Sequence, residues 1–216
     1  MILDNLSLKI NAGDHCALQG RTGSGKSTLV KLLLKLYEPQ SGEILLNGVP
    51  LNEFSQKSLA GNIGYVSQSI VLFYASIRDN IRMFDESISD EQIKEALKKS
   101  GMYEKIMALP GGLDYICEDG AANFSTGETQ LLACARLFLK QSKIIILDES
   151  TAKLDSTEQE KIQCAFNELI ENKTAIIIAH RAETLKKTNV KFLLENGKLF
   201  QGEKANLSEG GANETN

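Results

Sequence analysis

Apolar strand-like runs alternating with helical segments predict an α/β fold for this 216-residue chain. Three observations carry the prediction. Residues 143–149 and 174–179 are nearly continuous apolar runs, the composition of strands covered on both faces of a parallel sheet. Each run closes on polar side chains, Asp148-Glu149 in one case and His180 in the other. A glycine-rich turn, residues 20–28, sits between apolar Cys16-Ala17-Leu18 and a segment with Leu29, Leu32, Leu33 and Leu36 at helical spacing.

The elements follow in order. Residues 6–10 alternate and read as a strand, and Asn11-Ala12-Gly13-Asp14 as a turn. Residues 15–19 form the strand into the glycine-rich turn. A helix starts near Lys26 and is stopped by Pro39 and Ser41-Gly42. Residues 43–46 read as a strand, Asn47-Gly48 as a hairpin turn, 53–60 as a short helix and 63–67 as a buried strand ending at Gln68. From 69 to 141 the pattern turns helical. Ser76-x-x-Asp79 and Ser89-x-x-Gln92 read as capping-box starts, with Ile93, Ala96 and Leu97 following. Pro110-Gly111-Gly112 breaks the run, and a helix over 128–140 puts Leu131, Leu132, Ala135 and Phe138 on one face. Ser156-x-x-Gln159 starts a helix reaching about Glu171, and a last hairpin turns at Asn196-Gly197. Residues 203–216 form a polar tail rich in Gly, Asn and Glu.

Composition bounds the function. The chain is 42% hydrophobic and 24% charged, ordinary for a globular protein and enough for one large domain or two lobes. A net charge of −4 supplies no electrostatic reason to bind nucleic acid. No run approaches the roughly eighteen apolar residues of a membrane span, and the first residues lack a secretory pattern. Cys16, Cys117, Cys134 and Cys164 have no metal-like spacing and read as reduced thiols, while two histidines are too few for a histidine-rich metal site.

The chemistry centres on Gly20-Arg21-Thr22-Gly23-Ser24-Gly25-Lys26-Ser27-Thr28, which fits the P-loop pattern G-x-x-x-x-G-K-[ST]. Gly20, Gly23 and Gly25 permit positive φ and leave no Cβ between the backbone and an anion. The N–H groups of this turn, with Thr22 and Ser24 in it, point inward as a nest at a helix N-terminus. Lys26 would reach the β- and γ-phosphates, and Ser27 would offer its hydroxyl to Mg²⁺. An aspartate closing an apolar strand, Asp148, is the Walker B arrangement for Mg²⁺. The next carboxylate, Glu149, is placed to orient or deprotonate an attacking water. Taken singly, Gln68 fits a loop residue, His180 a strand cap and Asp148-Glu149 a solvated acidic turn. Beside a P-loop, at strand ends, they are hard to dismiss together, and the P-loop with Asp148 and Glu149 reads as a site for hydrolysis at a γ-phosphate.

Five motifs in order carry a family resemblance. Beyond the P-loop, Tyr65-Val66-Ser67-Gln68, Asn123-Phe124-Ser125-Thr126-Gly127-Glu128-Thr129-Gln130, residues 147–155 (Leu-Asp-Glu-Ser-Thr-Ala-Lys-Leu-Asp) and Ile178-Ala179-His180-Arg181 resemble the Q-loop, signature, Walker B/D-loop and H-switch of ABC-transporter ATPase domains. The match runs from about Leu3 to Gly202. Residues 73–81 and 106–110 are similar to the exporter branch. The resemblance implies a P-loop NTPase core, RecA-like, with a mixed or parallel sheet and an N-terminal antiparallel hairpin. It implies a core of residues 1–68 and 142–202 with an inserted α-helical subdomain over 69–141. It implies ATP and Mg²⁺ as ligands: Lys26, Ser27 and Thr28 at the phosphates and Mg²⁺, Gln68 and Asp148 also at the metal, and Glu149 as base. His180 would be the γ-phosphate switch, and Gln68 would also sense the membrane domains. Ser125 and Gly127 would contact the γ-phosphate held by a second nucleotide-binding domain, with Asp155 coupling the two sites. The partners implied are transmembrane domains and that second domain, at the cytoplasmic face of a membrane.

The sequence departs from the family pattern in places. The usual L-S-G-G-Q reads Phe124-Ser125-Thr126-Gly127-Glu128, which adds a branched side chain and a carboxylate where phosphate is received. The D-loop reads Ala152-Lys153-Leu154-Asp155, and Cys117 stands where a glycine is typical, beside a retained Glu118. The family's adenine-stacking aromatic precedes the first strand, and this chain begins too late to hold it, so either the sequence is a piece of a longer transporter, the favoured expectation, or adenine is held another way. Intact Walker motifs beside an altered signature predict a non-identical partner domain. The leading reading is therefore an ATP-hydrolysing domain that powers an exporter. The alternative is a catalytically weak, ATP-dependent regulatory clamp. A soluble ATPase acting on DNA or ribosomes is opposed by residues 76–81 and the acidic balance.

Overall fold

The computed structural model describes residues 2–118, 123–148, 155–178 and 188–202. Contacts divide the chain into two compact units, one of residues 1–64, 143–149 and 172–216, the other of residues 65–142 and 150–171.

The first unit is built on a sheet. Its strands are β1 (His15–Gln19), β4 (Ile63–Val66), β5 (Ile144–Asp148), β6 (Thr174–Ile178), β7 (Val190–Glu195) and β8 (Lys198–Gln201), in the order β4-β5-β6-β1-β7-β8. β4 spans the boundary between the units. The pairs β5–β6, β6–β1 and β1–β7 are parallel, and β7–β8 is the antiparallel hairpin turned at Asn196-Gly197, both at positive φ. Ala17, Ile145, Ile146, Leu147 and Ala175 are fully buried, as expected of parallel strands sandwiched between layers. A separate two-stranded sheet pairs β2 (Leu45–Leu46) with β3 (Val49–Pro50) across Asn47-Gly48 at φ 53 and 80, the twist-compatible hairpin turn.

Several boundaries differ from the sequence reading. Residues 6–10 keep the alternating burial but join no ladder, because alternation records which side is covered and cannot supply a partner edge. Helix α1 (Lys26–Leu33) ends well before Pro39. Lys35 turns at φ 54 and sends its ammonium to the Asn52 and Phe54 carbonyls at 2.9 and 2.8 Å, which leaves Leu36 exposed. The strand expected over 43–46 is confined to β2. The helix expected over 53–60 is a 3-10 turn at Leu51–Glu53 followed by α2 (Gln56–Asn62), because the Ser55 hydroxyl caps the Ser58 N–H.

The second unit packs helices. Four of them, α3 (Ile77–Arg82), α4 (Asp90–Lys99), α5 (Tyr103–Ala108) and α6 (Thr126–Leu139), precede β5. A fifth, α7 (Ser156–Ile170), belongs to the same unit and packs on α6. Ser89 and Gln92 complete the capping box of α4. Ser76 caps α3, but Asp79 accepts from the Ser76 hydroxyl rather than from its N–H. The cap of α7 is Asp155, not Ser156: its carboxylate accepts from the Glu158 N–H at 2.8 Å. Arg78 bridges Asp90, at 2.7 Å, and Asp114. Asn80, with no exposed surface, ties the loop before α3 to Arg136 on α6.

Candidate nucleotide-phosphate site

β1 is flanked by two parallel neighbours, and its end delivers the chain into the glycine-rich turn. The register sets the level of that end. Leu18 pairs with Ile178, which pairs with Asp148. Asp148 and the start of the turn therefore lie at the same carboxyl edge, where ligands gather in open α/β sheets.

The turn has the geometry of an anion cradle. Gly20, Gly23 and Gly25 have φ of 148, 81 and 108. A Cβ on Gly20 would stand 2.3 Å from the Leu194 backbone carbonyl, and at Gly25 the φ of 108 strains any L side chain, so both positions favour glycine. A Cβ on Gly23 would meet nothing within 4 Å, so there only the positive φ asks for glycine. The Ser24 Oγ is buried with no hydrogen-bond partner, as is Gln19 Oε1. An orphaned hydroxyl inside such a turn fits a site completed by a ligand. Thr22 and Ser27 are exposed and Thr28 is half-buried at the start of α1.

Lys26 is 8% exposed, and its Nζ donates to the Gly20 and Arg21 carbonyls at 2.6 and 2.9 Å. Burial holds its pKa below the ordinary lysine value, and the Asp148 carboxylate pulls it back up. The ammonium is thus parked on the backbone of the turn it would share with phosphate.

The signature residues belong to the helical unit. Ser125 is the N-cap of α6, with its Oγ accepting from the Glu128 N–H at 3.1 Å. Glu128 returns its carboxylate to the Ser125 N–H at 3.0 Å, closing a capping box, so the helix expected from 128 already begins at Thr126. Glu128 also pairs with Lys105. Burial would raise the Glu128 pKa, but the Lys105 ammonium and the Ser125 N–H outweigh it and hold the carboxyl below its ordinary range. The charge foreseen at this position is therefore countered locally. Two contributors escaped the sequence reading. Lys105 carried no motif. Glu158 left only a capping pattern, Asp155-x-x-Glu158, yet its Oε1 accepts from Ser125 Oγ at 2.9 Å. Gln68 lies exposed in the bend after β4, in the same unit as Ser125. Glu149 and His180 lie outside the described residues.

A P-loop on a central parallel strand, level with an aspartate two strands away, defines a nucleotide-binding protein of the P-loop class. The family model described as ABC transporter matches residues 3–152. The chain is 40% identical to a putative ABC transporter ATP-binding protein, exp8, of Streptococcus pneumoniae, over 93% of this chain and 34% of that protein. It is 39% identical to an ATP-dependent lipid A-core flippase of Chromobacterium violaceum, over 97% of this chain and 36% of the flippase. A solved structure of a bacterial Atm1-family ABC exporter with ATP bound superposes with a TM-score of 0.88 at 31% identity, covering all of this chain and 40% of the exporter. The chain belongs to the ABC transporter family, as its ATP-binding part, and spans about a third of the length of these two curated relatives.

Proposed function

We propose that this chain binds and hydrolyses ATP to power an exporter-type ABC transporter, closing on a second nucleotide-binding domain when ATP is bound. The observation that carries the reading is the shared level of the P-loop and Asp148 at one sheet edge. Gly20, Thr22, Gly23, Ser24 and Gly25 cradle the phosphates with their N–H groups, and Lys26 leaves the Gly20 and Arg21 carbonyls to meet them. Ser27, Asp148 and Gln68 would hold Mg²⁺, as the family resemblance implies, and the ion would supply neutralisation of phosphate charge when bound. Glu149 takes the proton of the attacking water, and His180 contacts the γ-phosphate. Ser125 and Gly127 serve a nucleotide bound by the partner domain. Among the described residues no helix is long and apolar enough to cross a membrane. In this reading transmembrane domains, carried elsewhere, hold the chain at a cytoplasmic face. The relatives' names, a lipid A-core flippase and an Atm1-family exporter, favour this ATPase over the regulatory clamp.

Two substitutions in the full-length chain test the chemistry. Glu149→Gln retains ATP binding and loses hydrolysis, by on the order of a hundredfold or more for a general base. Lys26→Ala weakens nucleotide binding itself, because it removes the charge facing the phosphates. Equilibrium binding and phosphate release distinguish the two. Normal turnover by Glu149→Gln, with its partner domain present, would rule out the assigned role.

A further inference from the structure

The end of α6 is already occupied by an anion of the chain's own. Glu158 stands at the third helical position of α7, where a glutamate commonly turns back to the N-cap N–H. Here its Oε1 instead accepts the Ser125 hydroxyl at 2.9 Å. Its Cδ and Oε2 stand 3.4 Å from where a Gly127 Cβ would be. One carboxylate thus covers both the hydroxyl and the side-chain-free backbone of the signature. A helix N-terminus favours negative charge, so the contact is electrostatically satisfied without any nucleotide.

We propose that Glu158 is an internal competitor for the signature: its carboxylate takes the place at the α6 N-terminus of the γ-phosphate brought by the partner domain. The proposal rests on the reading that Ser125 and Gly127 receive that phosphate. Ser125 Oγ has one proton to donate, and it cannot donate to Glu158 and to a phosphate oxygen together. Closure therefore requires the carboxylate to swing away, and the two anions also repel while both are near. Glu158 thereby sets the ATP concentration at which the assembly closes. Glu128 does not play this part, because its carboxylate is held by the Ser125 N–H and Lys105.

The test uses the full-length chain with its partner domain, with ATP and ADP as probes. Glu158→Ala lowers the KM for ATP about fivefold, the weight of one net hydrogen bond. ADP affinity stays unchanged, because ADP reports the P-loop alone and carries no γ-phosphate. A structural role for Glu158 would lower stability and leave this KM shift absent. Glu158→Gln keeps the side-chain length and removes the charge, so it too lowers the KM and stands in if the alanine variant fails to fold. An unchanged or raised KM in both variants overturns the proposal, provided Ser125→Ala raises the KM. If Ser125→Ala itself leaves KM and kcat unaltered, the underlying reading of the signature fails, and the proposal falls with it.

Discussion

Glu128 illustrates how a residue's neighbours decide what its charge does. In the sequence it is a carboxylate where the family usually has glutamine. In the structure it caps α6 and pairs with Lys105, and its folded pKa lies below the ordinary value. A lowered folded pKa means that the interaction stabilises the fold above the unfolded value, about 4.3 for glutamate. That contribution is lost as pH falls through the folded value. Urea unfolding measured from pH 7 downward should show the wild type losing stability below about pH 4.5 more steeply than Glu128→Gln. Identical pH slopes for the two proteins would mean that the pairing contributes nothing in solution.

At the scale of elements, the segment before α3 depends on one amide. Asn80 Nδ2 donates to the carbonyls of Phe73, Ala75 and Ser76 at 2.9, 3.3 and 3.1 Å. Its Oδ1 accepts from the Phe73 N–H at 2.8 Å and from Arg136 Nη2 at 3.0 Å. Arg136 is itself half-buried, and that burial lowers its pKa. Asn80→Ala should therefore cost about 2–4 kcal/mol, because it strands several buried donors and acceptors at once. Chemical denaturation measures this, and a loss within about 0.5 kcal/mol, the range of ordinary surface changes, would show that water replaces the amide. The amide joins the loop around Phe73 to α6 across 56 positions of sequence, a contact that helical periodicity does not announce.

For the whole molecule, the prediction concerns the partner. Residues 20–28 and Asp148 fit an intact ATP site, whereas Thr126 and Glu128 depart from the family signature. A symmetric pair would place the altered signature on both nucleotides. An asymmetric pair would confine it to one site, where weak hydrolysis costs little. The expected outcome is slow ATP turnover by the purified full-length chain without a non-identical partner, raised several-fold by Thr126→Gly with Glu128→Gln. Full transporter-like turnover by the unpaired wild type would sink the asymmetric model. The substitution also removes the Glu128–Lys105 pair, so a thermal melt should accompany the rate measurement.

Local chemistry alone determined the P-loop, the apolar strands β5 and β6 with Asp148 at the end of β5, and both Asn-Gly hairpins. Each depends on residue type at short spacing: glycine where φ is positive, continuous apolar side chains where two faces are covered. The capping of α4 was equally legible, since Ser89 and Gln92 are three residues apart. Only the tertiary structure decided the rest. Residues 6–10 had a strand's alternation and no strand to pair with. The end of α1 was drawn in by Lys35 reaching carbonyls of the following loop. α7 was capped by Asp155 rather than Ser156, because a carboxylate one residue earlier reached the free Glu158 N–H first. At the signature, Lys105 and Glu158 arrived from 23 positions before Glu128 and 33 after Ser125. Charge acts through space, and periodicity in the sequence records only which face a helix buries, so the company kept at the α6 N-terminus was set by packing.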